Sequence, residues 1–224
     1  MPSRTFFNLS TEKQQAIVKV ALDEFSALDY SSASISRIVR NTGIAKGSFY
    51  QYFQDKKDLY LYLLSLVSEA KKTFVSQTVP PNAEMDFYEY LSWLFDASTE
   101  FDRTYPILSR LAYRAFYGNS SFKDPEINRT EKAFTDFVRQ LVVTGIKSGD
   151  IDTEIDLEIA VFTVDTLLDA FNNKYIPALT GTTADTLAEQ GSSSFEIETA
   201  KKAFNKLIQI LKFGLSGQQN SQQN

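Results

Sequence analysis

The 224-residue chain contains neither cysteine nor histidine. Without thiols there are no disulfides and no thiolate metal sites, and a cytosolic setting is permitted. Without imidazole the commonest general base and most zinc ligand sets are missing as well. Carboxylate pairs such as Asp150/Asp152 and Glu154/Asp156 fall in a turn and an adjoining helix start, where helix capping accounts for them. No catalytic, metal or cofactor residues are therefore assigned, and the chain is expected not to be an enzyme. Long apolar runs are lacking too. The longest, residues 59–67, is far too short to span a bilayer, and the N-terminus has no apolar signal segment. A soluble, cytoplasmic protein without a membrane partner is the expectation.

Positive charge is scarce overall, since the net charge is −5. The balance is uneven: residues 1–60 hold eight Lys/Arg against six Asp/Glu, so the acidity lies in the remainder. A mildly cationic end on an acidic body suits shaped contacts to one nucleic-acid site better than coating of any duplex, and its non-specific affinity is expected to be low and salt-dependent.

What is present is helical periodicity. Thr11 and Gln14 have capping-box spacing, and Ile17, Val20, Ala21, Leu22, Phe25 and Leu28 follow at three- and four-residue steps. Residues 29–32 break the pattern. A second helix starts at Ser34 as N-cap, turns Ile35, Ile38 and Val39 inward, and stops at Gly43, leaving Arg37 and Arg40 on its polar side. A third runs from about Ala45 to Phe53 with Ala45, Phe49 and Phe53 on its inner face. Lys46, Gly47, Tyr50 and Gln51 then point away from the core. Two short helices joined by a glycine turn form a helix-turn-helix, whose second helix can enter a DNA major groove.

Residues 11–64 resemble the N-terminal domain of the TetR/AcrR family of transcriptional repressors. The family run G-[IV]-x-x-[GP]-[ST]-[LF]-Y-x-[HY]-F-x-[SND]-K-x-x-L is met by Gly43, Ile44, Gly47, Ser48, Phe49, Tyr50, Tyr52, Phe53, Asp55, Lys56 and Leu59. Ala45 departs from it, standing where the family often has Ser, so the recognition helix lacks a side-chain cap. The resemblance implies that Lys46, Gly47, Ser48, Tyr50, Tyr52 and Lys56 occupy DNA-touching positions. Their chemistry suits this: Lys46 reaches guanine edges or phosphate, Ser48 and the two phenols donate to the backbone, and Gly47 lets main chain approach a base. Gln51 is a candidate reader of adenine. Lys56 is expected to clamp a phosphate, and Arg37 is the next candidate for a phosphate or groove contact.

A fourth helix, capped by Asp55, runs through Leu59, Leu63, Leu66, Val67, Ala70 and Phe74, long enough to act as a lever shared by two domains. Beyond Pro80-Pro81 helices are expected at about 85–102, 105–117, 125–147, 156–179 and 195–215, with polar loops at 118–124 and 180–194. The fold class is thus all-α. A three-helix DNA-binding domain at 1–56 is joined by the fourth helix to a helical ligand-binding and dimerisation domain at 57–217, and 218–224 is a disordered tail.

The second part is rich in large rings, and a cavity walled by rings with a few polar groups is a common small-molecule site. The resemblance also implies an effector pocket there. Trp93, Tyr113, Phe116, Phe134, Phe137 and Phe171 are the candidate lining, with Arg110 and Arg114 available for a carboxylate or, as the plainer alternative, for a surface role. Val161, Val164, Leu167, Leu168 and Phe171 on one late helix, and Phe204, Leu207, Ile208, Leu211 and Leu215 on the last, offer apolar faces for a four-helix dimer interface. These residues imply a homodimeric repressor on a palindromic operator, released by an apolar or amphipathic effector. The alternative is a DNA-binding protein of the same fold controlled by protein partners, without a small-molecule inducer.

Overall fold

Helices account for every regular element among the described residues. The structure is a computed structural model that describes residues 1–80, 84–116, 125–180 and 194–215, with side chains at all of these except 125–131, 173, 180, 194–196 and 215. The expected loop at 118–124, most of that at 180–194, and the tail at 218–224 lie outside the described residues. In chain order the helices are α1 (Arg4–Phe7), α2 (Thr11–Ala27), α3 (Ile35–Thr42), α4 (Lys46–Tyr52), α5 (Lys56–Gln77), α6 (Phe87–Thr104), α7 (Pro106–Phe116), α8 (Pro125–Ser148) and α9 (Leu157–Ala170). A π-helical turn, Phe171–Tyr175, continues α9 into α10 (Ile176–Thr180), and α11 (Ser194–Leu215) follows.

The chain divides into two compact units. Among the described residues the first takes in Met1–Gln77 and the stretch from Glu100 through α7, so it extends past the boundary expected at residue 56 and holds all of α5. Its core is built from Ile17, Ala21 and Phe25 of α2, Ile38 of α3, Phe49 of α4, Leu59, Tyr60 and Leu63 of α5, and Leu111 of α7. These are the inward positions of the three- and four-residue repeats, so the helical period alone dictates which side of each helix is dry. Burial holds the Tyr60 phenol far above its ordinary pKa.

Helix ends show why the elements stop where they do. Ser10, not Thr11, caps α2 by accepting from Lys13 N, while the Gln14 amide donates backward to the carbonyls of Phe7 and Leu9. The expected box is therefore one residue out of register. Ser34 stands at the N-cap of α3 but its hydroxyl makes no capping bond; Glu24 Oε1 accepts from Ser34 N instead, at 2.7 Å. Gly43 ends α3 at φ 71°, a left-handed conformation that costs glycine nothing. Asp55 accepts from Asp58 N, and Asp58 from Gln54 N, closing the start of α5.

The second unit packs Phe87, Tyr88 and Leu91 of α6, Val138 and Val142 of α8, Ala160, Val161, Val164 and Leu168 of α9, and Phe204, Ile208 and Leu211 of α11 into one core. Asp150 joins its ends: its carboxylate accepts from Phe87 N at 3.0 Å and from Ser148 Oγ at 2.7 Å, and its carbonyl accepts from the Tyr88 phenol. Burial and the nearby Asp150 and Asp86 charges push the Tyr88 pKa up to about 12. Asp156 caps α9 through Glu158 N and Ile159 N. The carboxylates at 150, 152 and 156 are thus capping groups.

Candidate nucleic-acid interface

The recognition helix is held from three sides and open on the fourth. Phe49 is buried and Phe53, its C-cap, is buried beside it, with ring centroids 5.6 Å apart. The N-terminal segment, which no sequence signal marked, grips the other end. Ser3 N donates to the Tyr52 carbonyl at 2.8 Å and Ser3 Oγ to the Gln51 carbonyl at 2.5 Å, filling orphan acceptors at the helix C-terminus. Phe6 of α1 is fully buried against Phe53, Tyr52 and Tyr62, so α1 is anchored as well as placed.

On the open side stand Lys46, Gly47, Tyr50 and Gln51, all exposed, with Ser48 and Tyr52 half-buried at the margins. Tyr50 is 54% exposed although its ring lies edge-on to Phe49 at 5.2 Å, a large apolar body offered to solvent with its hydroxyl outermost. A Cβ added at Gly47 would meet nothing within 4 Å. Nothing inside the fold therefore asks for glycine in this helix, where it is intrinsically unfavourable. Ala45 stands at the N-cap with no side-chain bond, leaving first-turn N–H groups of α4 without a side-chain cap. It is exposed, not part of the inner face expected for it.

Two expected phosphate ligands are employed elsewhere. Lys56 directs Nζ to the carbonyls of Tyr30 at 2.7 Å, Ala33 at 3.0 Å and Ser31 at 3.2 Å, using all three ammonium donors, and lies 4.6 Å from the centre of the Tyr30 ring. It gathers the α2–α3 turn onto the start of α5. Arg37 donates Nε to Glu24 Oε1 at 2.8 Å and Nη2 to the Ser32 carbonyl at 2.6 Å, and the Glu24 carboxylate raises its pKa. Both cations brace the turn between α2 and α3. In the same turn Asp29 accepts from Ser32 N and from the Ser31 hydroxyl, and the hydrogen bonding from Ser32 lowers its pKa.

The eight candidates for an effector pocket are divided between the two units. Arg110, Tyr113, Arg114 and Phe116 lie on α7 in the first unit, whereas Trp93, Phe134, Phe137 and Phe171 lie in the second. Arg114, expected at a carboxylate or at the surface, is buried and donates Nε to the Ser26 carbonyl in the last turn of α2 at 2.9 Å. A cation there satisfies a terminal carbonyl and faces the negative end of the helix dipole. Phe134 and Phe137 are exposed on α8, and Trp93 is half-buried beside Tyr90. Phe171 is packed into core, 5.2 Å from Phe204, 5.8 Å from Phe95 and stacked on Tyr175 across the π turn.

The expected dimer residues require a correction of face. Val164, Leu168, Phe204, Ile208 and Leu211 are buried within their own subunit, and Leu167 and Leu207 pack against them; the Leu215 side chain lies outside the described residues. They close the core of the second unit. The opposite sides of the same helices expose Ile159 and Phe162 on α9, and Ile210 and Phe213 on α11, at 60, 66, 68 and 84%. Both helices carry apolar residues around most of their circumference, so periodicity could not tell which stripe faced inward.

Residues 17–63 match the family described as bacterial regulatory proteins, tetR family, and residues 85–216 match the tetracyclin repressor-like C-terminal domain. The chain belongs to the TetR family of transcriptional regulators. A TetR family transcriptional regulator from Chloroflexus aurantiacus is similar in structure, with 35% identity, a TM-score of 0.73, and coverage of 97% of this chain and 100% of that one. The fatty acid metabolism regulator protein of Bacillus subtilis is 24% identical over 66% of this chain and 75% of its own length. A structure of the regulator FadR from Bacillus subtilis in complex with stearoyl-CoA has 16% identity and a TM-score of 0.57 over 83% of this chain and 96% of that one, a likeness of fold. The TetR-family regulator is thus a helix-turn-helix DNA-binding protein, and its relatives are regulators rather than enzymes.

Proposed function

We propose that this TetR-family regulator is a cytoplasmic, homodimeric repressor that binds a palindromic operator through α4. The observation that carries the reading is the open side of α4, where Lys46, Gly47, Tyr50 and Gln51 form an exposed surface whose side chains make no hydrogen bond or ion pair among the described residues. Lys46 and the uncapped N–H groups of the first turn meet phosphate or guanine, Gly47 admits the DNA backbone, and Tyr50 and Gln51 meet base edges and sugars. Ser48 and Tyr52 supply hydroxyls from the margins. Arg37 and Lys56 act indirectly, by fixing the angle at which α4 is presented.

One such head makes few contacts, so specificity calls for two. The partner is a second copy seated on Ile159, Phe162, Ile210 and Phe213, whose exposure is otherwise costly. Two heads related by a two-fold axis read half-sites about 34–36 Å apart. The effector is an apolar or amphipathic small molecule that acts by favouring a dimer whose heads no longer match that spacing; a ligand binding both states equally changes nothing. The FadR complex with stearoyl-CoA supports this ligand class. Control by protein partners alone is the competing reading.

Selection of duplexes from a random pool tests the proposal. A two-fold related consensus should emerge, and a candidate effector should release it with a change in Trp93 fluorescence. Enrichment of no sequence, or of single half-sites only, contradicts the dimeric operator reading.

A further inference from the structure

The first unit contains a groove that the DNA reading does not use. It is an open groove of about 540 Å³ between α2, α5 and the junction of α6 with α7. That volume lies within the range of small-molecule sites, about 300–1,000 Å³. Its floor is apolar, formed by Val18 and Leu22 of α2, Leu66 of α5, Ile107 and Leu108 of α7, and the ring of Tyr62. Burial raises the Tyr62 pKa, so its phenol stays protonated as a donor.

Outside the groove α7 is pinned at two places. At its far end buried Arg114 holds the last turn of α2. Near its start the buried Ser109 hydroxyl donates to Asp102 at 2.7 Å, and Lys71 approaches the same carboxylate at 3.7 Å. Ahead of both ties Pro106, Ile107 and Leu108 line the groove opposite α2. On the rim, Lys19 is exposed and makes no ion pair among the described residues. Its four-carbon stem can lie over an apolar guest while the ammonium meets a charge.

We infer that this groove binds an amphipathic small molecule, its apolar body lying on Val18, Leu22, Leu66 and Leu108 and its anionic end paired with Lys19. The short Asp23 side chain, one turn further along α2, disfavours a second negative group and limits the guest to a single anionic end. The groove shares no residue with the effector pocket expected from the sequence, and the inference does not rest on the operator reading.

A diazirine-bearing decanoate, used as a photo-cross-linking probe on the full chain, reads out where the molecule sits. The expected result is labelling of residues 11–23, 62–66 and 104–108. It should be lost in Val18→Trp and in Gln15→Trp, the latter changing an exposed rim position that leaves folding intact. Lys19→Ala should reduce labelling by the carboxylate about threefold, the scale of an exposed ion pair, and leave labelling by the equal-length alcohol unchanged. Labelling confined to the second unit, or groove labelling that survives both Trp variants, overturns the inference. An equal response of acid and alcohol to Lys19→Ala overturns the assignment of the anionic end.

Discussion

On α4 the exposed side chains are an ammonium, a phenol and an amide around a glycine, whereas α9 and α11 expose the large apolar Ile159, Phe162, Ile210 and Phe213 beside their polar residues. The first face is polar and already compatible with water, so its partner must repay desolvation with matched hydrogen bonds and charge, as a duplex does. The second face gains simply by leaving water, and a twin copy presents the same need. Exposure by itself therefore says little about function; the chemistry left exposed decides the class of partner. A second contrast lies within the first unit. Lys46 and Lys56 are ten residues apart and both look like DNA ligands in the sequence, yet one is exposed and the other holds three carbonyls.

Breaking the apolar face should have the largest effect. Phe162→Asp combined with Phe213→Asp should yield monomers by sedimentation, and operator affinity should fall by about 10²-fold or more as the avidity of two heads is lost. A monomer with full affinity would mean that the two faces do not serve one operator. Lys56→Met sharpens the contrast of the two lysines. It should lower folding stability by about 2 kcal/mol, since hydrogen bonds from a charged donor are removed, yet leave the salt dependence of DNA binding unchanged. Tyr50→Ala should do the reverse, weakening operator binding by about 1–2 kcal/mol with an unaltered melting temperature.

Gly47→Ala separates fold from function most cleanly. Thermal unfolding should show a gain of about 0.5–1 kcal/mol from helix propensity, because the added methyl meets open space, while gel-shift affinity should fall. The smallest effect is expected at Asp29, whose folded pKa is lowered by hydrogen bonding from Ser32. A carboxylate depressed on folding contributes stability above its unfolded pKa and loses it as pH falls through the folded pKa. Asp29→Asn should thus melt below wild type near neutral pH, and the gap should close as the solution is acidified through the carboxylate range.

Much of this was legible in the residues. The glycine stop at Gly43, the inward Phe49 and the outward Lys46, Tyr50 and Gln51 follow from helical period, and the family run agreed with them. The late helices were placed to within a few residues for the same reason. What periodicity does not carry is the destination of a long cation: Lys56 and Arg37 reach carbonyls contributed by a turn 5–26 residues away, a relation visible only after folding. Nor could it choose a face on α9, where Val161 and Phe162 are neighbours and only one is buried. The grip of Ser3 on the end of α4 escaped notice because a four-residue helix is too short to show a period.

The absence of cysteine allows one direct test of the central claim. Gln51→Cys provides a unique attachment point for an iron chelate that cleaves DNA nearby. On the selected operator the account predicts two cleavage centres about 34–36 Å apart, one in each half-site, with no comparable cutting from a chelate at Glu69→Cys on the exposed side of α5. Diffuse or absent cleavage from position 51, or equal cleavage from position 69, would contradict it.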